Sequence, residues 1–272
     1  MDALVPILPS AIQSVYNSAM KSALTIAGFD PSGGAGIQAD LKIFGALDIY
    51  GLSVAAALTA QNSKGVSAVR AVESSFVQRQ LTVLLPDMKP DAMKTGMLYS
   101  KANVEVVVNM IKKYRLRNIV VDPVLLSSSG KLLAEKGAEK VMRKKLLPLA
   151  TVITPNIHEA SVLAGMVIRT FDDMKRAAVI LHDLGTANVV ITGGHLEKGA
   201  VDIIYNGVFT FLKGRKISGE FHGTGCRFSA VIAARLADGC GVVEAVQQAK
   251  TYVRQSMKQT FSTGKGMRLF NV

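Results

Sequence analysis

Short apolar runs alternate with amphipathic stretches along most of the chain, and this alternation constrains the fold more than any other feature. Residues 22–27 form an apolar run that ends at Gly28. Residues 37–47 then carry apolar side chains at helical spacing, and residues 52–59 form a second apolar run. This order predicts a strand, a helix and a second strand, which together make a βαβ unit.

The alternation continues to the end of the chain. It predicts strands over residues 92–94, 118–121, 151–154 and 188–191, and helices over residues 103–114, 136–147, 171–184, 225–237 and 242–258. Asn206-Gly207 lies between two strand-like pieces in residues 201–211, which predicts a hairpin. No linker or repeat interrupts the pattern. We therefore expect a short N-terminal extension, residues 1–20, followed by one α/β domain, residues 21–272, with helices on both faces of a mainly parallel sheet.

Composition narrows the classes of partner. The net charge of +12 favours anionic ligands, but the basic residues are scattered, aromatic residues are only 6% of the chain and no nucleic-acid-binding motif is present. No apolar run reaches the roughly 20 residues that a membrane helix needs. The two cysteines lack a C-x-x-C spacing, as is usual in a reducing compartment. We expect a cytoplasmic protein that binds neither membrane nor nucleic acid.

Unusual residues cluster where the predicted strands end, which is where ligands of parallel sheets bind. Gly223, Thr224, Gly225 and Cys226 open a predicted helix. Unpaired backbone N–H groups and a positive dipole at this point favour a phosphate. A thiol at a helix N-terminus has a lowered pKa, so Cys226 is either a general base or simply a small residue that fits the turn.

Two carboxylates follow predicted strands. Asp122 and Glu159 are suited to hold Mg²⁺, and Asn156 to orient the same site. The alternative is that Asn156 caps a helix and Glu159 lies in its first turn.

The glycine-rich turn after the first strand has two interpretations. Gly34 begins a G-x-G-x-x-A pattern, but the acid that a dinucleotide site needs after the second strand is missing. Gln61 occupies that region and is suited to hydrogen-bond an amino-substituted ring. Asp40 is either an acceptor for a hydroxymethyl group or a solvated helix residue. No P-loop motif is present.

Seven stretches, in order from about residue 23 to residue 253, resemble the hydroxymethylpyrimidine and phosphomethylpyrimidine kinases of thiamine biosynthesis. These stretches are ALTIAGFDPSGGAGIQADLK, ALTAQNSKGV, MKTGML, VDPV, TPNIHEA, GGHLEKGAVDIIYNG and HGTGC. That family belongs to the ribokinase-like superfamily, so the resemblance implies a three-layer αβα fold, ATP and Mg²⁺ as cofactors, a pyrimidine substrate and a homodimer.

The resemblance also implies roles for single residues. Gln61 pairs with the pyrimidine, while Asp40, Gly28 and Met97 line the acceptor pocket. Gly223, Thr224, Gly225 and Cys226 form an anion hole with Cys226 as the base, and Asp122 and Glu159 organise Mg²⁺. Asn156 is expected at the ATP phosphates.

This sequence departs from the family pattern at three positions. Thr192 replaces a lysine before Gly193-Gly194, Ser128 lies where many members have a basic residue or threonine, and Arg227 follows the anion hole in place of a small hydroxyl residue. A lysine at position 192 would stabilise charge on the transferred phosphoryl group. We hypothesise that Arg227 supplies the missing charge.

Two alternatives to a pyrimidine kinase remain open. One is a pyridoxal or pyridoxine kinase of the same superfamily. The other is a catalytically weak pyrimidine- or nucleotide-binding protein, which the loss of lysine at Thr192 favours.

Overall fold

A computed structural model describes residues 20–127, 130–193, 200–214 and 217–271. The predicted N-terminal extension, apart from Met20, lies outside the described residues. So does Ser128, one of the three departures from the family pattern.

A nine-stranded sheet forms the centre of the domain, with the strand order β3-β2-β1-β4-β5-β6-β7-β8-β9. The six strands from β2 to β7 pair in parallel, and β3, β8 and β9 join at the two edges as antiparallel strands. The strands are β1 Ser22–Phe29, β2 Tyr50–Asn62, β3 Gly65–Ala71, β4 Ala92–Thr95, β5 Ile119–Val121, β6 Val152–Ile153, β7 Val189–Ile191, β8 Ala200–Tyr205 and β9 Phe209–Gly214. The mainly parallel sheet and the hairpin at Asn206-Gly207 are confirmed.

The helices of the described chain are α1 Gly36–Ala46, α2 Ser74–Asp87, α3 Lys101–Tyr114, α4 Ala138–Val141, α5 Ile157–Ala164, α6 Phe171–Asp183, α7 Thr224–Ala237 and α8 Val242–Ser256. None of these helices has the length and apolarity needed to cross a membrane. A small two-stranded sheet, β10 Thr260–Phe261 with β11 Leu269–Phe270, lies near the C-terminus.

Two predictions about local structure were incomplete. The helix expected over residues 136–147 is α4 followed by a π-helical turn, Met142–Leu146, and a 3₁₀ turn, Leu147–Leu149. Pro148 lies in the last of these turns, and a proline cannot continue an α-helix because it lacks the backbone N–H. Strand β3 and helix α2 were not predicted.

Two hydrophobic cores pack against the two faces of the sheet, because successive side chains of a strand point to opposite sides. Val120 and Val152 belong to the core that α1, α7 and α8 cover, whereas Val121 and Ile153 belong to the core beneath α2, α3, α5 and α6. Strands β5, β6 and β7 contribute side chains to both cores, and they are apolar throughout, as is usual for strands buried on both faces. The three-layer αβα architecture is confirmed.

Candidate active site

A cavity of about 960 Å³ opens at the carboxyl ends of the parallel strands. Its wall includes the residues that follow β1, β4, β5, β6 and β7, namely Asp30, Gly96, Asp122, Thr154 and Thr192. All the site residues expected from the sequence except Asp40 and Arg227 also line it: Gly28, Gln61, Met97, Asp122, Asn156, Glu159, Thr192, Gly223, Thr224, Gly225 and Cys226.

The N-terminus of α7 meets the glycine-rich turn at one end of this cavity. Gly223 is the N-cap with φ 81°, and a Cβ there would lie 2.0 Å from the Gly34 carbonyl oxygen, so only glycine fits. No side chain within the described chain caps this helix, so its first N–H groups are available to a ligand. Backbone donors and the positive helix end make this corner suitable for a phosphate.

A buried polar cluster lies beneath the cavity. Lys94 Nζ donates to both carboxylate oxygens of Asp40, at 2.7 and 2.8 Å, and lies 3.9 Å from Asp122. The hydroxyl of Thr25 donates to Asp40 at 2.6 Å, and that of Ser229 to Asp122 at 2.9 Å. Lys94 and Asp40 are completely buried, whereas Asp122 reaches the cavity wall.

Oxygen ligands for a cation converge on the same wall. Burial and then the charge of Asp122 raise the pKa of Glu159 to about 8, and burial likewise raises the pKa of Asp122. The hydroxyl of Thr154 is buried without a partner among the described residues. Two mutually repelling carboxylates beside an unpaired hydroxyl are suited to a hard divalent cation such as Mg²⁺. No group of three or more acidic, histidine or cysteine side chains that could hold a metal ion occurs in the described residues, so phosphate oxygens and water would complete the coordination.

The capping role that the sequence left open for Asn156 is present in the structure. Its side chain accepts from the Glu159 N–H at 3.0 Å, and the Glu159 carboxylate accepts from the Asn156 N–H at 3.0 Å. This reciprocal pair is a capping box. It also fixes the Glu159 carboxylate at the cavity, so capping and a site function are compatible.

A histidine organises the residues beside the glycine-rich turn. The Nε2 atom of His222 lies 2.9 Å from an oxygen of Asp30 and 3.2 Å from Nε2 of Gln61. Burial alone would raise the pKa of Asp30, but hydrogen bonds from His222 and Ser32 outweigh it and lower the pKa to about 2. His222 therefore connects the glycine-rich turn to the end of β2, where Gln61 faces the cavity.

Comparison with known proteins gives the family. A family model described as phosphomethylpyrimidine kinase matches residues 30–271. The chain belongs to the phosphomethylpyrimidine kinase family.

Similar proteins include both relatives of known name and solved structures. The chain is 44% identical over 248 residues to the thiamine biosynthesis bifunctional protein ThiED of Geobacter sulfurreducens, covering 90% of this chain but only 51% of that protein. It is 38% identical to the hydroxymethylpyrimidine/phosphomethylpyrimidine kinase of Bacillus subtilis, covering 90% of this chain and 92% of the relative. The ADP complex of Bacillus subtilis pyridoxal kinase superimposes with a TM-score of 0.86 at 39% identity, covering 93% of this chain and 97% of the other.

The structure corrects the role that the family resemblance implied for Asp40. Its side chain is fully buried, and its oxygens accept from Lys94 and Thr25. Asp40 does not line the cavity, so it is neither a solvated helix residue nor a direct acceptor for a substrate hydroxyl. It is the counter-ion of Lys94.

The hypothesis that Arg227 supplies a phosphate-binding charge is wrong. Only 1% of Arg227 is exposed, and its guanidinium lies 4.6 Å from the centre of the Phe270 ring. The side chain does not reach the cavity wall. Thr192 does line the cavity, and its backbone N–H donates to the Pro155 carbonyl.

The expected lowering of the Cys226 pKa is also wrong. Burial raises the pKa of this thiol to about 12, although the nearby charge of Lys94 and the N–H of Gly36 act in the opposite direction. The position at a helix N-terminus is as expected, but the loss of water outweighs the helix dipole. In the protein without ligands Cys226 is therefore a neutral thiol at pH 7.

Three site residues escaped the sequence reasoning. Asp30, Lys94 and His222 lie inside the stretches DPSGG, MKTGML and HGTGC, yet none received a role. Their position at strand ends or beside the anion loop was the available signal. Lys94 contacts Asp40, 54 positions away in the sequence, and His222 contacts Asp30, 192 positions away. No local sequence pattern reveals contacts over such separations.

We predict that Glu159→Gln stabilises the ligand-free protein at high pH. Because the pKa of Glu159 is raised from 4.5 to about 8, the folded state binds the proton more tightly than the unfolded state, and stability falls as pH rises between those values. Glutamine keeps the capping box without the charge. The melting temperature of the variant should exceed that of the unmodified protein at pH 9, and the difference should shrink towards pH 5.

Added Mg²⁺ should also reduce the difference at pH 9, since the cation binds the ionised carboxylate. Glu105→Gln is the matched control, because Glu105 lies at the surface beside Lys145 and away from the cavity. Equal melting temperatures for Glu159→Gln and the unmodified protein at both pH values would contradict a strained carboxylate pair.

Proposed function

We propose that this chain transfers the γ-phosphate of ATP to the hydroxymethyl group of 4-amino-5-hydroxymethyl-2-methylpyrimidine, to its monophosphate, or to both. One observation carries the proposal. The same cavity is bounded by a helix N-terminus suited to phosphate and by a pocket that contains Gln61 and Met97. Membership of the phosphomethylpyrimidine kinase family supports this assignment.

Positioning and neutralisation of charge account for most of the catalysis of phosphoryl transfer. The N–H groups at the start of α7 bind the transferred phosphoryl group, and Gln61 orients the acceptor ring. Asp122 and Glu159 hold Mg²⁺, which would neutralise phosphate charge when bound. The acceptor hydroxyl lies beside Cys226, and the thiolate form of Cys226 receives its proton.

A second candidate acceptor is a vitamin B6 compound. The chain is 41% identical to the pyridoxine kinase of Bacillus subtilis, which it matches over 92% of that protein. Pyridoxine and the pyrimidine share a hydroxymethyl group on a six-membered nitrogen ring. The exocyclic amino group distinguishes the pyrimidine, and Gln61 is the side chain suited to recognise it.

ADP release with Mg-ATP tests the acceptor directly. We expect turnover with hydroxymethylpyrimidine or its monophosphate at a higher kcat/KM than with pyridoxal or pyridoxine. Turnover on the B6 compounds alone would move the protein to the second candidate. Saturable binding without turnover on any acceptor would identify a binding protein whose catalytic power was lost with the lysine at position 192.

A Gln61→Leu variant refines that test, because leucine matches glutamine in size but offers no hydrogen bond. We expect the KM for the pyrimidine to rise about tenfold or more, since polar groups of the bound ring are left unpaired. The KM for ATP should stay within about twofold, because Gln61 lies at the acceptor end. An equal rise in both constants would contradict the placement of the acceptor at Gln61.

The pH dependence of turnover tests Cys226 as the proton acceptor. With a thiol pKa of about 12, kcat should rise steadily between pH 7 and pH 9. Cys226→Ala should lower kcat by roughly 10²–10⁴-fold and remove this rise. Cys226→Ser is the matched control for packing and should be slow as well, since a hydroxyl is even harder to deprotonate.

A flat pH profile together with a loss below about tenfold in Cys226→Ala would exclude the thiol as the base. The backbone donors at the start of α7 would then be the main contribution of this corner to catalysis.

We further propose that the protein is a homodimer. Phe29 and Leu58 are register partners on β1 and β2, and 43% and 47% of their surfaces are exposed, which forms an apolar patch near one sheet edge. A second copy is the partner that the family resemblance implies.

Leu58→Lys should shift the mass measured by light scattering from dimer to monomer. Val208→Lys, at the opposite edge and 72% exposed, should not; a monomeric unmodified protein would refute the proposal.

A further inference from the structure

We infer that residues 260–271, here called the C-terminal segment, form one wall of the acceptor end of the cavity, and that Arg227 is the positioning residue that holds this wall in place. The effect that we expect on catalysis rests on the proposed function. The packing on which it depends can be tested without turnover.

The C-terminal segment is bonded to two loops of the site through backbone hydrogen bonds. The N–H of His222 donates to the Arg268 carbonyl at 3.0 Å, and the N–H of Arg268 donates to the Glu220 carbonyl at 3.0 Å. The N–H of Met267 donates to the Ser63 carbonyl at 2.8 Å. Ser63 follows Gln61 closely in the β2–β3 turn, so the segment joins that turn to the loop that leads into α7.

The fit against the β2–β3 turn depends on two glycines. A Cβ on Gly266 would lie 2.2 Å from the Ser63 carbonyl oxygen, and a Cβ on Gly264 would lie 2.3 Å from the Ser63 hydroxyl. At Gly266 the close atoms belong to the backbone, so a larger residue would require the backbone to move, whereas at Gly264 the Ser63 side chain would have to move. Gly266 and Met267 both line the cavity, so this close packing forms part of the ligand-facing wall.

Arg227 attaches the end of the segment to α7. Its guanidinium lies over the Phe270 ring, and Nη2 lies 3.5 Å from the Phe270 carbonyl oxygen. The Phe270 ring also packs against Phe221, with centroids 5.8 Å apart.

Burial of Arg227 strengthens its contact with the Phe270 ring. Arg227 is almost fully buried, its Nε has no partner in the described residues, and burial lowers its pKa. A desolvated cation is strongly attracted to an aromatic face, so the Phe270 ring is the main compensation for its burial. The regular structure within the segment is the two-residue pairing of β10 with β11, so the contact with Arg227 adds to the backbone hydrogen bonds that hold the segment in place.

The test compares Arg227→Met, which keeps the length of the side chain without the cation, with Arg227→Lys, which keeps a cation near the ring. Arg235→Met is the matched control, because Arg235 lies on the same helix, in its last turn and away from the cavity. We expect Arg227→Met to raise the KM for the acceptor about tenfold, the size expected for a desolvated cation–π contact, and to leave the KM for ATP within about twofold. Arg227→Lys should recover part of the loss.

Hydrogen exchange provides the readout that does not depend on activity. The amides of Met267 and Arg268 should exchange faster in Arg227→Met than in the unmodified protein or in Arg235→Met. Faster exchange with an unchanged KM for the acceptor would show that the segment is not a wall of that site. Unchanged exchange in Arg227→Met would show that Arg227 does not hold the segment, and either result overturns the inference.

If the unmodified protein turns over no acceptor, the proposed function fails while the inference is still tested. Hydroxymethylpyrimidine should then be titrated calorimetrically into the same variants. Weaker binding by Arg227→Met than by Arg235→Met, with faster exchange at Met267, would support the inference. Equal binding would refute it.

Discussion

The ion pair between Lys94 and Asp40 is the interaction on which the geometry of the site depends. Lys94 lies on the central strand β4, Asp40 lies on α1, and neither has any exposed surface. Removal of two charges from water is costly, and only good geometry with further hydrogen bonds compensates for it. Here both oxygens of Asp40 accept from Lys94, and Thr25 on β1 supplies a third bond. The pair therefore fixes α1 against two neighbouring strands.

This pair also determines the electrostatics of the cavity above it. Asp40 neutralises most of the charge of Lys94, so Asp122 at 3.9 Å receives only part of that cation's attraction. Burial outweighs that attraction, so the pKa values of Asp122 and Glu159 are raised despite the neighbouring lysine. The cavity has an acidic wall at these carboxylates and a positive helix end at Gly225. A nucleotide with its divalent cation matches both, because it carries negative phosphates and a positive ion together.

Much of the site could be predicted because it lies at strand ends. Periodicity locates the strands and helices whose ends carry Asp122, Gln61 and the loop from Gly223 to Cys226. Parallel strands bring these ends together at one edge of the sheet. Asp40 could not be placed, because the spacing that makes α1 amphipathic does not reveal that its polar Asp40 also points inward. Only Lys94, 54 positions away, makes that orientation favourable. Likewise, Arg227 follows an anion loop in sequence, yet the ring that it faces belongs to Phe270, 43 positions away.

Because position 192 carries threonine and not lysine, the proposed binding of a phosphate would depend more strongly on the N-terminus of α7. The neighbouring Gly193 donates its N–H to Asp202 at 3.0 Å, and Asp202 forms an ion pair with Lys250 at 2.9 Å. That aspartate largely balances the lysine charge at this corner and fixes β7 to β8 and α8. Thr192 is uncharged and Arg227 is turned towards Phe270, so neither side chain adds a cation to the backbone N–H groups at the start of α7. The geometry of these N–H groups is set by the contact of Gly223 with Gly34, so a phosphate bound there, as we propose, would depend on this backbone packing.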